Sequence, residues 1–119
     1  MKLNILERII ILGILPKQAD FISIKIITDL QKEVGFSQNE LDKSNIKVLE
    51  NGSISWDNDF EKEIKVTKRA AEIIIKGLKE LSEKNSVTAQ HISIFEKFKV
   101  DIEIPKDEEE FIGGEDHSL

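Results

Sequence analysis

The sequence predicts an α+β fold: a mostly helical, winged-helix-like domain with one β-hairpin, a possible third strand and an acidic C-terminal tail. Apolar residues recur at helical spacing in several segments, and the period changes to two on either side of Asn51 and Gly52. The end of the chain is acidic and has no apolar period. We therefore divide the 119 residues into a single domain, residues 1–104, and a flexible tail, residues 105–119.

The first third of the chain predicts two helices. Residues 3–15 are apolar nearly all round, which is typical of a helix buried on more than one side, and Gly13 and Pro16 should end it. Asp20 is the predicted N-cap of a second helix whose apolar stripe runs over residues 21–34. Alternating isoleucines at the start of that segment leave a strand open as the alternative.

A third, short helix should begin at Ser37, which has capping-box spacing with Glu40. A hairpin should follow, because the dipeptide Asn51 and Gly52 accepts the positive φ angles of a two-residue turn and alternating apolar residues flank it. Residues 63–66 can supply a third strand.

The second half predicts two further helices. Thr67 should cap an amphipathic helix over residues 68–84, and Thr88 should cap a last helix. Alternation over residues 100–104 predicts a short edge strand before the tail.

The charge of the chain is unevenly distributed. Residues 101–119 hold eight acidic residues and one lysine, whereas residues 1–100 hold 15 acidic and 16 basic residues. Because the tail offers little apolar surface to offset the entropy of ordering it, we expect it to be solvated and mobile.

This pattern disfavours nucleic-acid binding, which needs a basic surface. A DNA-binding winged-helix regulator stays the main alternative, and it requires one surface that carries four lysines: Lys17, Lys25, Lys43 and Lys47.

No residue pattern predicts catalysis, a cofactor or a metal. The chain has no cysteine, which excludes a disulfide framework, a thiolate metal site and a cysteine nucleophile. Asp57 and Asp59 resemble the start of a calcium loop, but Lys62 and Lys68 replace its glycine and its glutamate, so a solvated loop is expected. His91 lies in a predicted first helical turn, which indicates a capping or surface role. The apolar run 9–15 is too short to span a membrane.

Protein–protein contact is the function that the residues favour. Phe111 and Ile112 form an apolar pair in an acidic frame that includes Glu109 and Glu110, and such a segment can dock into a hydrophobic pocket with a basic rim. Trp56 is the other candidate contact residue. An idle tail and a core tryptophan are the competing interpretations. An aliphatic surplus also suggests a homodimer that buries residues lying off the helix stripes, drawn from Ile9, Ile11, Ile73 and Ile75.

Three segments resemble short uncharacterised proteins of bacteriophages and prophages of AT-rich bacteria: ERIIILGILPKQADFISIKIITDLQKEVGFS, ISWD and VTAQHISIFEKF. They cover about half of the chain, and the tail falls outside them. The resemblance implies a source and a fold, with no functional residues to carry over. We therefore expect a non-enzymatic phage accessory protein that acts in the cytoplasm of a bacterial host by binding a protein or itself. A virion or assembly component is the third hypothesis.

Overall fold

The structure, a computed structural model, describes residues 1–100 and has an α+β architecture. In chain order the elements are β1 (Lys2–Asn4), α1 (Ile5–Ile14), α2 (Phe21–Val34), α3 (Gln38–Lys43), β2 (Lys47–Val48), β3 (Ile54–Ser55), β4 (Glu61–Glu63), α4 (Lys68–Glu83) and α5 (Ile92–Lys97), the last preceded by a 3-10 turn at Ala89–His91. The predicted edge strand over residues 100–104 and the tail over residues 105–119 lie outside the described residues, apart from Val100.

The strands form two separate two-stranded antiparallel sheets. In the first sheet β1 pairs with β4, so that Leu3 lies opposite Lys62. In the second, β2 pairs with β3, so that Val48 lies opposite Ile54. The first sheet joins the start of the chain to its middle, and the backbone N–H of Ile64 extends it by donating to the carbonyl of Met1 at 2.8 Å.

The third strand differs in position from the prediction. It occupies Glu61–Glu63 instead of residues 63–66, and it pairs with β1 rather than with the hairpin. Ile64, which the prediction placed inside the strand, follows it and is fully buried. The strand β1 was not predicted, because a segment of three residues is too short to display a period of two.

The predicted hairpin is present, but its turn is one residue longer than predicted. Leu49 donates its N–H to the carbonyl of Ser53 at 2.7 Å, and Gly52 donates to the carbonyl of Leu49 at 2.9 Å. The loop therefore contains three residues, and only Gly52 has a positive φ, of 87°. This arrangement is the type I turn followed by a glycine bulge that three-residue hairpins commonly use.

Three of the four predicted caps begin helices. The fourth, Thr88, precedes the 3-10 turn and makes no side-chain capping hydrogen bond, and α5 begins only at Ile92. Asp20 accepts the N–H of Ser23, Ser37 and Glu40 form a reciprocal capping box, and Thr67 accepts the N–H of Ala70. The second segment is therefore a helix, and the strand alternative for it is wrong.

Two further helix boundaries depart from the prediction. Asn4 and Glu7 form a capping box at the start of α1 that was not predicted, although the spacing of the two residues is the usual one. Gly13 does not end this helix, which continues to Ile14.

The hydrophobic core lies between α1, α2, α4 and α5, and Leu3 of β1 and Ile64, which follows β4, add to it. Its buried members are Leu3, Ile11, Leu15, Ile27, Leu30, Val34, Ile64, Ala70, Ile74, Leu78, Ile94 and Phe98. The helix α1 packs closely on α4, where a Cβ placed on Gly77 would lie 3.2 Å from the carbonyl oxygen of Ile14. The core thus packs against one side of α1.

Candidate protein-binding groove

An apolar groove of about 570 Å³ lies between α1, α3 and the hairpin. We call it the hairpin groove, and its lining residues are Ile9, Leu12, Gly13, Phe36, Leu41, Ile46, Lys47, Val48 and Ile54. Its volume falls within the range of pockets that hold small ligands or a few side chains of a partner.

The groove wall on α1 follows from the helical period. Ile9, Leu12 and Gly13 fall on one face because residues three and four apart are neighbours on a helix. A Cβ on Gly13 would meet nothing within 4 Å, so the groove is open at this point. The apolar residues on the second side of α1, which the sequence predicted to be buried, therefore line a groove that the described residues leave open.

The hairpin supplies the opposite wall. Val48 and Ile54 are directly paired across β2 and β3, and directly opposite residues place their side chains on the same face of a sheet. Val48 is 73% exposed, a high value for an aliphatic side chain on an ordered strand. The aliphatic pair thus offers contact area that the described part of the chain does not cover.

Arg8 holds the third wall in position. Its guanidinium, which is fully buried, donates to both carboxylate oxygens of Glu40 at 2.9 and 3.1 Å and to the carbonyls of Val34 and Gly35 at 2.9 and 2.5 Å. The guanidinium carbon also lies 4.1 Å from the ring centroid of Phe36, a groove residue. One side chain of α1 therefore fixes the turn between α2 and α3.

The same contacts perturb Glu40. The hydrogen bonds from Arg8, followed by the backbone N–H of Ser37 and the charge of Arg8, lower the pKa of Glu40 to about 2 against the opposing effect of burial. Glu40 is therefore ionised at neutral pH and engaged with Arg8, so it adds no free charge to the groove.

A second buried ionic group lies on the neighbouring side of α1. Burial raises the pKa of Glu7, but hydrogen bonds from Lys97, from the backbone of Asn4 and from Ser93 outweigh it and hold the pKa below its usual value. Lys97 Nζ lies 2.7 Å from Glu7 Oε1 and 2.9 Å from the carbonyl oxygen of Lys2. This cluster ties α5 to α1 and β1.

The predicted contact residues are only partly placed by the structure. Trp56 follows β3, is half-buried and does not line the hairpin groove. Phe111, Ile112, Glu109 and Glu110 lie outside the described residues. The groove was not predicted as a site, although the apolar residues on the second side of α1 were the signal for it.

The predicted surplus of off-stripe aliphatic residues is mostly accounted for within one chain. Ile11 is fully buried, and Ile73 and Ile75 are half-buried against the core. Ile9 differs from these three because it lines the hairpin groove. Three of the four residues offered for a dimer interface thus have a place in the monomer.

The four lysines of the DNA-binding hypothesis lie on four different segments. Lys17 is in the loop between α1 and α2, Lys25 lies on α2, Lys43 ends α3 and Lys47 begins β2. Lys43 and Lys47 line two different cavities, and Lys25 lies 5.7 Å from the ring of Phe21 on its own helix.

Other predicted sites have structural roles. In the loop that only partly matches a calcium-binding loop, the carboxylate of Asp59 accepts hydrogen bonds from the backbone N–H groups of Ile5 and Phe60. The carboxylate of Asp57 accepts one from the side-chain amide of Asn45. His91 accepts the backbone N–H of Thr88 through Nδ1 at 2.9 Å, as a capping residue does. Among residues 1–100 no group of three or more histidine or acidic residues is arranged to hold a metal ion, and no helix is long and apolar enough to cross a membrane.

Neither a family model, nor a curated protein, nor a solved structure was found that matches the chain.

Proposed function

We propose that the chain is a non-enzymatic accessory protein of phage or prophage origin that acts by binding another protein through the hairpin groove. The observation that carries this proposal is the exposed aliphatic wall formed by Val48 above an apolar groove of about 570 Å³. Exposed apolar surface of this kind is typical of contact sites. The resemblance of three segments to phage and prophage proteins supports the source, and the bacterial cytoplasm is the proposed location.

The lining of the groove favours a particular class of partner. Eight of its nine lining residues are apolar or glycine, and Lys47 is the one charged residue among them. A partner segment with two or three apolar side chains would fill the groove, and nearby carboxylates on that segment would pair with Lys47. A basic segment would be repelled.

The test is affinity capture from a lysate of the host with two matched variants of the full chain. Val48→Glu places a carboxylate in the groove wall, and Ile92→Glu places one on another exposed apolar residue, 54% exposed at the start of α5. We expect a captured protein that is lost with Val48→Glu and retained with Ile92→Glu, while Val48→Thr, which keeps the branched shape, has an intermediate effect. Thermal unfolding of each variant verifies folding. Equal capture by all variants would exclude the groove as the binding site.

A DNA-binding regulator is the second candidate, because three helices followed by a hairpin is the element order of a winged-helix domain. In such a domain α3 would enter the major groove, yet here the exposed charges of α3 are Asp42 and Lys43, which cancel, and Gln38 donates its amide to Asp42 at 2.9 Å. Binding to a labelled duplex at 50 and 200 mM salt decides between the two candidates. A regulator that makes 6 to 10 phosphate contacts would lose roughly 10³ to 10⁵ in affinity over that range.

A further inference from the structure

The hairpin groove is an exposed apolar surface of the kind that binds another segment of protein. Its walls are apolar, and Val48 and the neighbouring Leu49 are 73% and 44% exposed in the part of the chain that the structure describes. Water in contact with a continuous aliphatic wall is unfavourable, so a segment that brings apolar side chains to it gains free energy.

We infer that the occupant is the chain's own segment 107–116, with Phe111 and Ile112 seated in the groove of the same molecule. This inference uses the same groove as the proposed function and names the segment with which a partner must compete. Phe111 and Ile112 are the two large apolar residues of this segment, and acidic residues precede and follow them at 107–110 and 115–116.

The segment is long enough to reach the groove. Lys97 Nζ, near the end of α5, contacts Glu7 on α1 at 2.7 Å. Ile9 and Leu12 lie about 3 and 7.5 Å further along that helix and on its other side, and a helix with its side chains is about 10–12 Å across. The path from the end of α5 to the groove is therefore on the order of 25 Å. Phe111 lies 11 positions after Val100, and a chain of that length spans up to about 36–40 Å when extended.

The charges of the two surfaces are complementary. Lys47, whose side chain is exposed, is the charged lining residue of the groove, and Glu40 of the adjoining wall is paired with Arg8. Glu109 and Glu110 come directly before Phe111, so that a carboxylate is available to Lys47 when the aromatic ring enters the groove. Such a contact guides the segment to one end of the groove, and the apolar pair supplies the area.

Occupation by a tethered segment changes how a partner binds. A short flexible tether gives an effective concentration in the millimolar range, so that even a weak segment fills the groove for much of the time. A partner then binds only the fraction of molecules whose groove is free, and a groove that is free a tenth of the time weakens the apparent affinity about tenfold.

The absence of cysteine from the full chain allows a direct test. A spin label at Gly114→Cys is two residues from Ile112, and it broadens the amide signals of residues close to it in the ¹⁵N-labelled protein. We expect broadening at Gly13, Val48 and Ile54, with no broadening at Ile22 and Ile92, which are exposed apolar residues outside the groove. The label in a chain that also carries Phe111→Ala and Ile112→Ala is the matched control, in which the groove signals should recover.

Charge reversal tests the proposed contact between Lys47 and the carboxylates of Glu109 and Glu110. Lys47→Glu should reduce the broadening of the groove signals, and combining it with Glu109→Lys and Glu110→Lys should restore it. Recovery in the combined variant is a readout that general damage to the hairpin would not give.

Several results would overturn the inference. Broadening spread evenly over the surface, or kept at full strength when Phe111 and Ile112 are alanine, excludes the segment as occupant. Broadening that appears only in a mixture of spin-labelled and ¹⁵N-labelled molecules assigns the groove to the tail of a second copy and also contradicts it. None of these measurements needs a partner, so a failure here leaves the capture result with Val48→Glu to decide the proposed function separately.

Discussion

Two consecutive residues of α1, Glu7 and Arg8, carry opposite charges into the interior, and both are fully buried. Buried charges are costly unless they are paired and hydrogen-bonded. Arg8 meets this condition through Glu40 and two carbonyl groups, and Glu7 meets it through Lys97, Ser93 and the backbone of Asn4. Among the described residues, no buried side-chain polar atom lacks a hydrogen-bond partner.

The first prediction concerns the guanidinium group of Arg8 and its hydrogen bonds. Arg8→Lys should lower the free energy of unfolding by about 2–4 kcal/mol, because an ammonium group cannot serve Glu40 bidentately and reach the two carbonyls as well. Urea unfolding measures the change. Arg69→Lys is the matched control, since Arg69 is the chain's other arginine and is exposed on α4, and it should change stability by less than about 0.5 kcal/mol. Equal effects of the two substitutions would contradict the prediction.

The second prediction concerns the pH dependence of stability. The pKa of Glu40 is lowered from 4.5 to about 2, so its carboxylate stabilises the fold fully above its unfolded pKa and loses this contribution as the pH falls towards 2. The wild-type free energy of unfolding should therefore decrease between about pH 5 and pH 2. Glu40→Gln should be less stable at neutral pH and should lose on the order of 2 kcal/mol less over that interval. Parallel curves for the two proteins, from urea unfolding at each pH, would exclude Glu40 as a source of the effect.

These partnerships could not be predicted from the sequence. Glu7 and Arg8 directly precede an apolar run, and their partners Lys97 and Glu40 lie 90 and 32 residues away along the chain. Periodicity reports which face a residue occupies, and it does not report what lies opposite. The capping-box spacing of Asn4 and Glu7 was the local signal that was available.

At the scale of the element, α1 is a helix with two apolar sides. One side, with Ile11 and Leu15 beyond its end, packs into the core. Ile9 and Leu12 line the hairpin groove, and Leu12 also packs against the edge of the core. The sequence predicted burial on more than one side, whereas the second side is only half-buried and lines a groove. It could not distinguish a side covered by α4 from a side that faces a groove, because both require the same aliphatic residues.

The two glycines that α1 and α4 contain should respond oppositely to alanine. Gly13→Ala should raise the free energy of unfolding by about 0.5 kcal/mol, because a methyl group there meets open space and alanine favours the helix. Gly77→Ala should lower it by about 1 kcal/mol, since its Cβ would lie 3.2 Å from both the carbonyl oxygen and Cδ1 of Ile14. Thermal unfolding of the pair is the measurement. A shift of both variants in the same direction would refute this account of the α1–α4 contact.

The elements with local signals were predicted well, and those without were not. Asp20, Ser37 and Thr67 cap helices as expected, because a cap depends on residues within one turn of each other. The pairing of β1 with β4 joins residues about 60 positions apart, and three residues on each side give no pattern. The hairpin was predicted correctly, but the length of its turn was not. The register of a hairpin depends on the turn type, and the dipeptide Asn51 and Gly52 is compatible with more than one turn type.

At the scale of the whole molecule, the beginning and the end of the described chain are joined by ionic contacts. Lys97 of α5 donates to Glu7 and to the carbonyl of Lys2, and it lies 3.6 Å from Glu61 of β4. The charge of the N-terminal amine is paired with Glu63 of the same strand. The last described helix is thus held to the first sheet and to the start of α1.

Lys97→Met should lower the free energy of unfolding by about 2 kcal/mol, because it leaves the buried carboxylate of Glu7 without its cation while Ser93 and Asn4 remain bonded to it. Lys99→Met, two residues along and exposed, is the control and should have little effect. Urea unfolding of both variants provides the comparison. If their unfolding midpoints coincide, Lys97 does not hold the two ends of the chain together.

The adjacency of Glu7 and Arg8 has a mechanical consequence for the surface they support. A shift of α1 by one residue would place the carboxylate of Glu7 against Glu40 and an aliphatic side chain against Lys97. The two ion pairs therefore fix the position and the orientation of the helix. The same ion pairs therefore place Ile9 and Leu12 in the wall of the hairpin groove in the absence of a ligand. A segment that enters between them and the hairpin therefore meets a helix whose orientation is already fixed by ion pairs, which lowers the ordering cost of binding.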